Sequence, residues 1–172
     1  EDKSIKKDIK KAIQFYSLAS NQNYSFSQYN LGVLYYEGKY IKRNINKSIE
    51  YFLLASKNNP KANYALGMIY YDINKAIHYY TLASNQNYSE AQYQLGLIYY
   101  PNNLKKSINY IMLASMNGNI MANFSHGFLL HEGKNLKKDI LWAVHYYKEA
   151  STFNNQYAKN NLGVIYINGY ED

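Results

Sequence analysis

Four histidines, His78, His126, His131 and His145, are the side chains of this 172-residue chain best suited to proton transfer or metal ligation. Their spacing supports neither. His78 and His145 fall at the same point of a recurring phrase as Gln14, Glu50 and Asn109, which marks an outward-facing, solvated position. His126 and His131 stand five residues apart, which does not bring two ligands onto one helical face, and zinc needs three or four convergent ligands. The many serines recur in copies of one phrase, whereas a nucleophile is needed once and with a base beside it. The glycines stand singly inside apolar periods, so no phosphate-cradling loop is present. Carboxylates are sparse and show no acid/base spacing. With no cysteine, thiolate ligands and thiol nucleophiles are excluded as well. We therefore expect no catalytic residue, no metal and no cofactor; the chain reads as a non-enzyme.

Charge offers a second kind of chemistry. The formal net charge is +7, and basic residues gather at Lys39, Lys42, Arg43 and Lys47, at Lys105 and Lys106, and at Lys134, Lys137 and Lys138. Such an edge could meet nucleic acid or an acidic partner. However, Arg43 is the single arginine, and bidentate phosphate or base recognition favours arginine. Abundant Asn, Tyr, Lys and Ile point to an AT-rich genome, such as that of a protist, a low-GC bacterium or a large virus, and that bias supplies lysines without a function. No run approaches the roughly 18–20 apolar residues of a membrane span. The charged start, "EDKSIKKDIKK", has no apolar signal segment, which favours a cytoplasmic location.

The elements that must carry all of these residues are repeats. One phrase centres on Gly32, Gly67, Gly96, Gly127 and Gly163, at intervals of 35, 29, 31 and 36 residues. A second reads "KKAIQFYSLAS", "NKSIEYFLLAS", "NKAIHYYTLAS", "KKSINYIMLAS" and "LWAVHYYKEAS", with alanines at 19, 55, 83, 114 and 150. Two phrases in lockstep at this period predict stacked helix pairs. Ala76, Tyr79, Tyr80 and Ala83 form an i, i+3, i+4, i+7 stripe, the helical period. Glycine inside a helix costs roughly 1 kcal/mol against alanine. Five in one register therefore imply close approach of a neighbouring helix, with the "LAS" alanine as the matching small residue. Asp8, Asn44, Asp72 and Asp139 stand where N-caps belong. Tyr35, Tyr70, Tyr99 and Tyr166 are assigned to the core.

The stretch "LGVLYYEGKYIKRNINKSIEYFLLAS", 31–56, places Leu31, Gly32, Tyr35, Gly38, Ile41, Asn44, Lys47, Ser48, Tyr51, Phe52 and Ala55 in a pattern that resembles the Sel1-like repeat, the longer relative of the tetratricopeptide repeat. The resemblance covers nearly the whole chain. It implies an all-α fold, an α-solenoid of antiparallel helix pairs in a right-handed superhelix. A half repeat at 5–25 would precede repeats at 26–60, 61–88, 89–119 and 120–155, with a half repeat at 156–172. Two copies depart by missing the loop that carries the second glycine, between Tyr70 and Asp72 and between Tyr99 and Asn103. These are either short turns or loops dropped from the sequence. In the fourth copy His126 stands for Leu and Leu130 for Tyr.

If the first helices line a concave face, as in related solenoids, two positions per repeat form a ladder of rings. Three residues before each glycine stand Tyr29, Tyr64, Tyr93, Phe124 and Asn160, and four after stand Tyr36, Tyr71, Tyr100, His131 and Ile167. Tyrosine gives contact area at small entropic cost and keeps a polar tip, although rings here can equally fill gaps between repeats. The resemblance implies a protein–protein interaction scaffold or adaptor. It would bind an extended peptide or helix of a partner protein, with Asn30, Asn63, Asn123 and Asn160 bonding the partner's backbone.

Overall fold

The computed structural model describes residues 7–100 and 102–169. Among these residues there are ten helices and no strand: α1 (Ile9–Asn21), α2 (Ser25–Glu37), α3 (Ile45–Ala55), α4 (Pro60–Ile69), α5 (Ile73–Ser84), α6 (Ser89–Tyr99), α7 (Leu104–Met116), α8 (Ile120–Glu132), α9 (Ile140–Thr152) and α10 (Gln156–Asn168). The chain divides into two compact units, Glu1–Ala83 and Ser84–Asp172. In the first, α1 packs on α2, α2 on α3 and α3 on α4; in the second, α6 packs on α7, α7 on α8, α8 on α9 and α9 on α10. All-α helix-pair packing is the architecture that the two phrases require.

Asparagine and aspartate set the helix starts. Asp8, Asn44, Asp72, Asn103 and Asp139 accept from the backbone N–H three residues on, at the heads of α1, α3, α5, α7 and α9. Asn59, Asn119 and Asn155 cap α4, α8 and α10. Asn23, Asn87 and Asn154 take positive φ in the turns that enter α2, α6 and α10, a conformation asparagine tolerates better than most residues. Much of the asparagine content is thus structural. The two long loops close alike. Gly38 and Gly133, both at φ 68°, end α2 and α8, and the N–H groups of Asn44 and Asp139 donate to Tyr35 O and Leu130 O. Where that glycine is missing, α4 passes to α5 and α6 to α7 through turns of a few residues, a length that suits antiparallel helices.

Four of the five register glycines face a neighbouring helix (Gly163 meets nothing within 4 Å), but what fills the space at three of them is a ring and not the expected alanine. A Cβ on Gly32 would stand 2.6 Å from the Phe52 ring, one on Gly67 2.6 Å from Tyr80, and one on Gly127 3.0 Å from Tyr147; at Gly96 the neighbour is Ile111, at 2.9 Å. The "LAS" alanines instead share buried clusters with the next helix: Ala55 with Ala62 and Leu66, and Ala150 with Ala158 and Ile165. At the third position of the second phrase, serine replaces alanine in two copies and ties the pair together: Ser48 Oγ donates to Gly32 O (2.8 Å) and Ser107 Oγ to Gly96 O (2.7 Å).

Leu31, Leu66 and Leu95, one residue before each glycine, are fully buried, as are Ala62, Ala91, Ala122 and Ala158 four residues further back. The tyrosines assigned to the core differ. Tyr35, Tyr70 and Tyr99 are half-buried, and Tyr166 is 62% exposed. The first three stack on a ring of the paired helix, Tyr51, Tyr79 and Tyr110, with interplanar angles of 7–10°. Among the described residues no helix follows α10 to supply Tyr166 with such a ring.

His126 occupies the leucine register and is buried, with its ring 4.2 Å from Tyr146 and Nδ1 3.3 Å from Ser115 Oγ. Burial holds its pKa below the ordinary 6.5. The folded state therefore keeps His126 neutral where the unfolded chain takes up a proton. Stability from this site is complete above about pH 6.5 and is lost as pH falls toward the depressed folded value. We expect His126→Leu to flatten that acid loss, read as the urea midpoint at pH 7.5 and 5.5.

Candidate functional site

Each first helix presents a stripe three before, one after and four after its glycine, and clefts open where two such helices lie over the helix between them. In the second unit α6 and α8 form walls over α7. Leu97 and Tyr100 stand on one side, Phe124, Phe128 and Leu129 on the other, and Leu104, Ile108 and Ile111 beneath. The cavity measures about 480 Å³. In the first unit, Tyr29, Val33 and Tyr36 of α2 face Met68 and Ile69 of α4 over Phe52, leaving about 180 Å³. The registers match, and the floors differ. Ile111 takes the position that Phe52, Tyr80 and Tyr147 hold in the other pairs, so no ring fills the larger cleft.

The cleft is apolar with a charged rim. Glu132 and Lys134 lie at its loop end and bind each other at 2.9 Å. The hydrogen bond to Lys134 holds the Glu132 carboxyl below its ordinary value. Leu97 (46% exposed), Phe128 (46%) and Tyr100 (65%) present large apolar surface to solvent. A contiguous exposed patch of this kind marks interaction sites more often than isolated residues do.

Of the expected ladder, Tyr100 and Phe124 line the larger cleft, and Tyr29 and Tyr36 the smaller. The earlier position serves packing as well. Tyr29 lies 5.6 Å from the Phe52 ring, Tyr64 5.7 Å from Tyr80 and Phe124 5.9 Å from Tyr147, all half-buried. Burial raises the Tyr29 hydroxyl, and pushes Tyr80 and Tyr147 up to about 12. Tyr93 is half-buried, Tyr71 is fully exposed, and His131 is half-buried with its ring edge-on to Tyr147 at 6.1 Å.

The asparagine expectation needs correction. Asn63 and Asn123 are buried and occupied by neighbouring helices: Asn63 Nδ2 donates to Ser56 O (2.7 Å), and Asn123 Oδ1 accepts from Ser115 Oγ (2.7 Å). They belong with Gln28 and Gln92, four residues before each glycine, whose amides donate to Ser20 O and Ser84 O. This is a repeated internal clamp on the carbonyl or hydroxyl of the "LAS" serine. Asn30 is half-buried and Asn160 exposed, in two other registers. The sequence reading missed Leu97 and Phe128. Their signal was an apolar residue one after every glycine (Val33, Met68, Leu97, Phe128, Val164), four residues beyond the ring position already noted.

Several edge cations are engaged by the chain itself. Lys47, Lys75 and Lys106 sit over Tyr35, Tyr70 and Tyr99 at 5.3, 5.3 and 4.0 Å, extending each stacked tyrosine pair into a triple. Arg43 Nε donates to Tyr36 O (3.0 Å). Among the described residues no three His, Asp or Glu side chains converge, and no helix is long and apolar enough to cross a membrane.

The Sel1 repeat family model matches residues 2–24, 25–60, 60–88, 89–119 and 120–152. The chain is similar to a Sel1 repeat protein from Oxalobacter formigenes, with 30% identity and a TM-score of 0.84, over 94% of this chain and 71% of that one. It is also similar to a protective antigen of uropathogenic Escherichia coli strains that displays an SLR fold, with 26% identity and a TM-score of 0.80, over 94% of this chain and 38% of that one. Among curated proteins none matches the chain. Sel1 repeat proteins are generally non-catalytic scaffolds for protein–protein interaction. With five matched repeats across nearly all of its length and helix pairs built as those repeats require, the chain belongs to the Sel1 repeat family.

Proposed function

We propose that this chain is a non-catalytic interaction module that holds a segment of a partner protein in the cleft between α6 and α8. The observation that carries this reading is the cleft itself: about 480 Å³, apolar, flanked by exposed Leu97, Tyr100 and Phe128, and left open by Ile111. Burial of partner side chains supplies affinity at about 25 cal/mol per Å² of apolar surface, before the cost of association. The smaller cleft in the first unit, lined by Tyr29 and Tyr36, takes a shallower contact. Tyr64, Tyr93, Tyr71 and His131 contribute where the partner extends beyond the clefts. The alternative, nucleic acid or an acidic partner on the lysine edge, is less favoured because several of its cations already lie over the chain's own rings.

Affinity capture from the native cell followed by titration tests this. Leu97→Asp, on an exposed site, is expected to leave the melting temperature within a degree or two and weaken partner binding at least tenfold, about 1.4 kcal/mol. Unchanged affinity removes the cleft from the interface.

A further inference from the structure

The cleft's chemistry also selects the conformation of what it holds, on the reading that it holds a partner segment. An extended peptide carries one N–H and one C=O per residue, and any that are buried must find partners on the walls. These walls offer few, the Asn135 amide and the Tyr100 hydroxyl, both at the exposed margin. Ser107 Oγ is committed to Gly96 O (2.7 Å), Ser125 Oγ to Met121 O (3.0 Å), and the rim pair Glu132–Lys134 to each other. Asn123, the α8 amide expected to meet an extended backbone, is buried and accepts from Ser115 Oγ (2.7 Å). A helix arrives with its own backbone satisfied and asks only for apolar contact.

We infer that the occupant is an amphipathic α-helix, laid between α6 and α8 with an i, i+3/i+4, i+7 apolar stripe facing Ile108 and Ile111. The wall from Phe124 to Glu132 spans eight residues, about 12 Å at the helical rise, and so meets two turns of such a helix. Charge adds a second selection. Lys134 is balanced by Glu132, but exposed Lys105 adjoins Leu104 and the chain carries +7 overall, which favours an acidic outer face on the incoming helix.

Two displayed libraries of peptides about 16 residues long, near the length at which an isolated helix becomes marginally stable, test this on the intact chain. One is an Ala/Glu helix with randomised apolar stripe positions; the other has the same design with a central proline, which breaks the helix. Binders are expected from the first library, weakened at least tenfold by Phe128→Asp in the chain and at least tenfold by proline in the peptide. Binders from the proline library alone that still weaken on Phe128→Asp overturn the helical occupant and leave the interaction cleft standing. Binders indifferent to Phe128→Asp, or none from either library, overturn both. Leu97→Asp replaces Phe128→Asp if the latter lowers the melting temperature.

Discussion

Tyr147→Ala is expected to cost about 3–5 kcal/mol of stability, the largest loss from any single truncation in the chain. Tyr147 is fully buried and is the largest of the fully buried side chains. Its ring fills the space left by Gly127, meets Phe124 at 5.9 Å and His131 at 6.1 Å, and its hydroxyl accepts from Asn161 Nδ2 (3.0 Å). Truncation removes a ring that joins α8, α9 and α10 and leaves a void that its neighbours, Phe124, Val144 and Ile165 among them, fill only in part. Tyr147→Phe keeps the ring and loses one hydrogen bond, about 1 kcal/mol. Urea denaturation separates these outcomes. A loss below about 1 kcal/mol for Tyr147→Ala contradicts the pairing of glycine and ring as the joint of the repeat.

The second large effect is a change of sign between two glycines in one register. Gly67→Ala brings a methyl group within 2.6 Å of the Tyr80 ring, which is buried and has no free end to swing aside. Overpacking of this kind costs about 1–3 kcal/mol, against a helix-propensity gain of about 1 kcal/mol. At Gly163 a Cβ meets nothing within 4 Å, so Gly163→Ala keeps the propensity gain without the clash. We expect the urea midpoint to fall for Gly67→Ala and rise for Gly163→Ala. A rise for both contradicts close packing at Gly67.

This pair also shows what was legible in the sequence. The register of Gly32, Gly67, Gly96 and Gly127 and the caps at Asp8, Asn44, Asp72 and Asp139 are local signals, and the structure uses them as such. What sits opposite each glycine depends on the offset between two helices. Neither phrase states that offset, so Ala55 and Ala83 were expected where Phe52 and Tyr80 are found. Tyr166 illustrates the same limit: its phrase matches Tyr35, but its burial depended on a following helix to stack against it.

The site was half legible for a related reason. Tyr100 and Phe124 stood out because they are aromatic. Leu97 and Phe128 share a register that is otherwise Val33, Met68 and Val164, so its single ring made no ladder. A helical residue turns about 100° from its neighbour, so Asn63 and Asn123, one position before the ring register, point inward while Tyr64 and Phe124 do not. The cleft itself arises from a missing ring. Ile111 is conspicuous only once Phe52, Tyr80 and Tyr147 are known to occupy the same place.

That substitution carries the most direct test. Ile111→Phe installs the side chain that the first unit carries against Gly32, and should shrink the 480 Å³ cleft toward the 180 Å³ of its counterpart. Titrating a captured partner against the wild-type chain and this variant is expected to show at least a tenfold loss of affinity, about 1.4 kcal/mol, with no fall in melting temperature. Equal affinity for both chains, with the new ring seated against Gly96, would contradict the cleft as the place where this protein meets its partner.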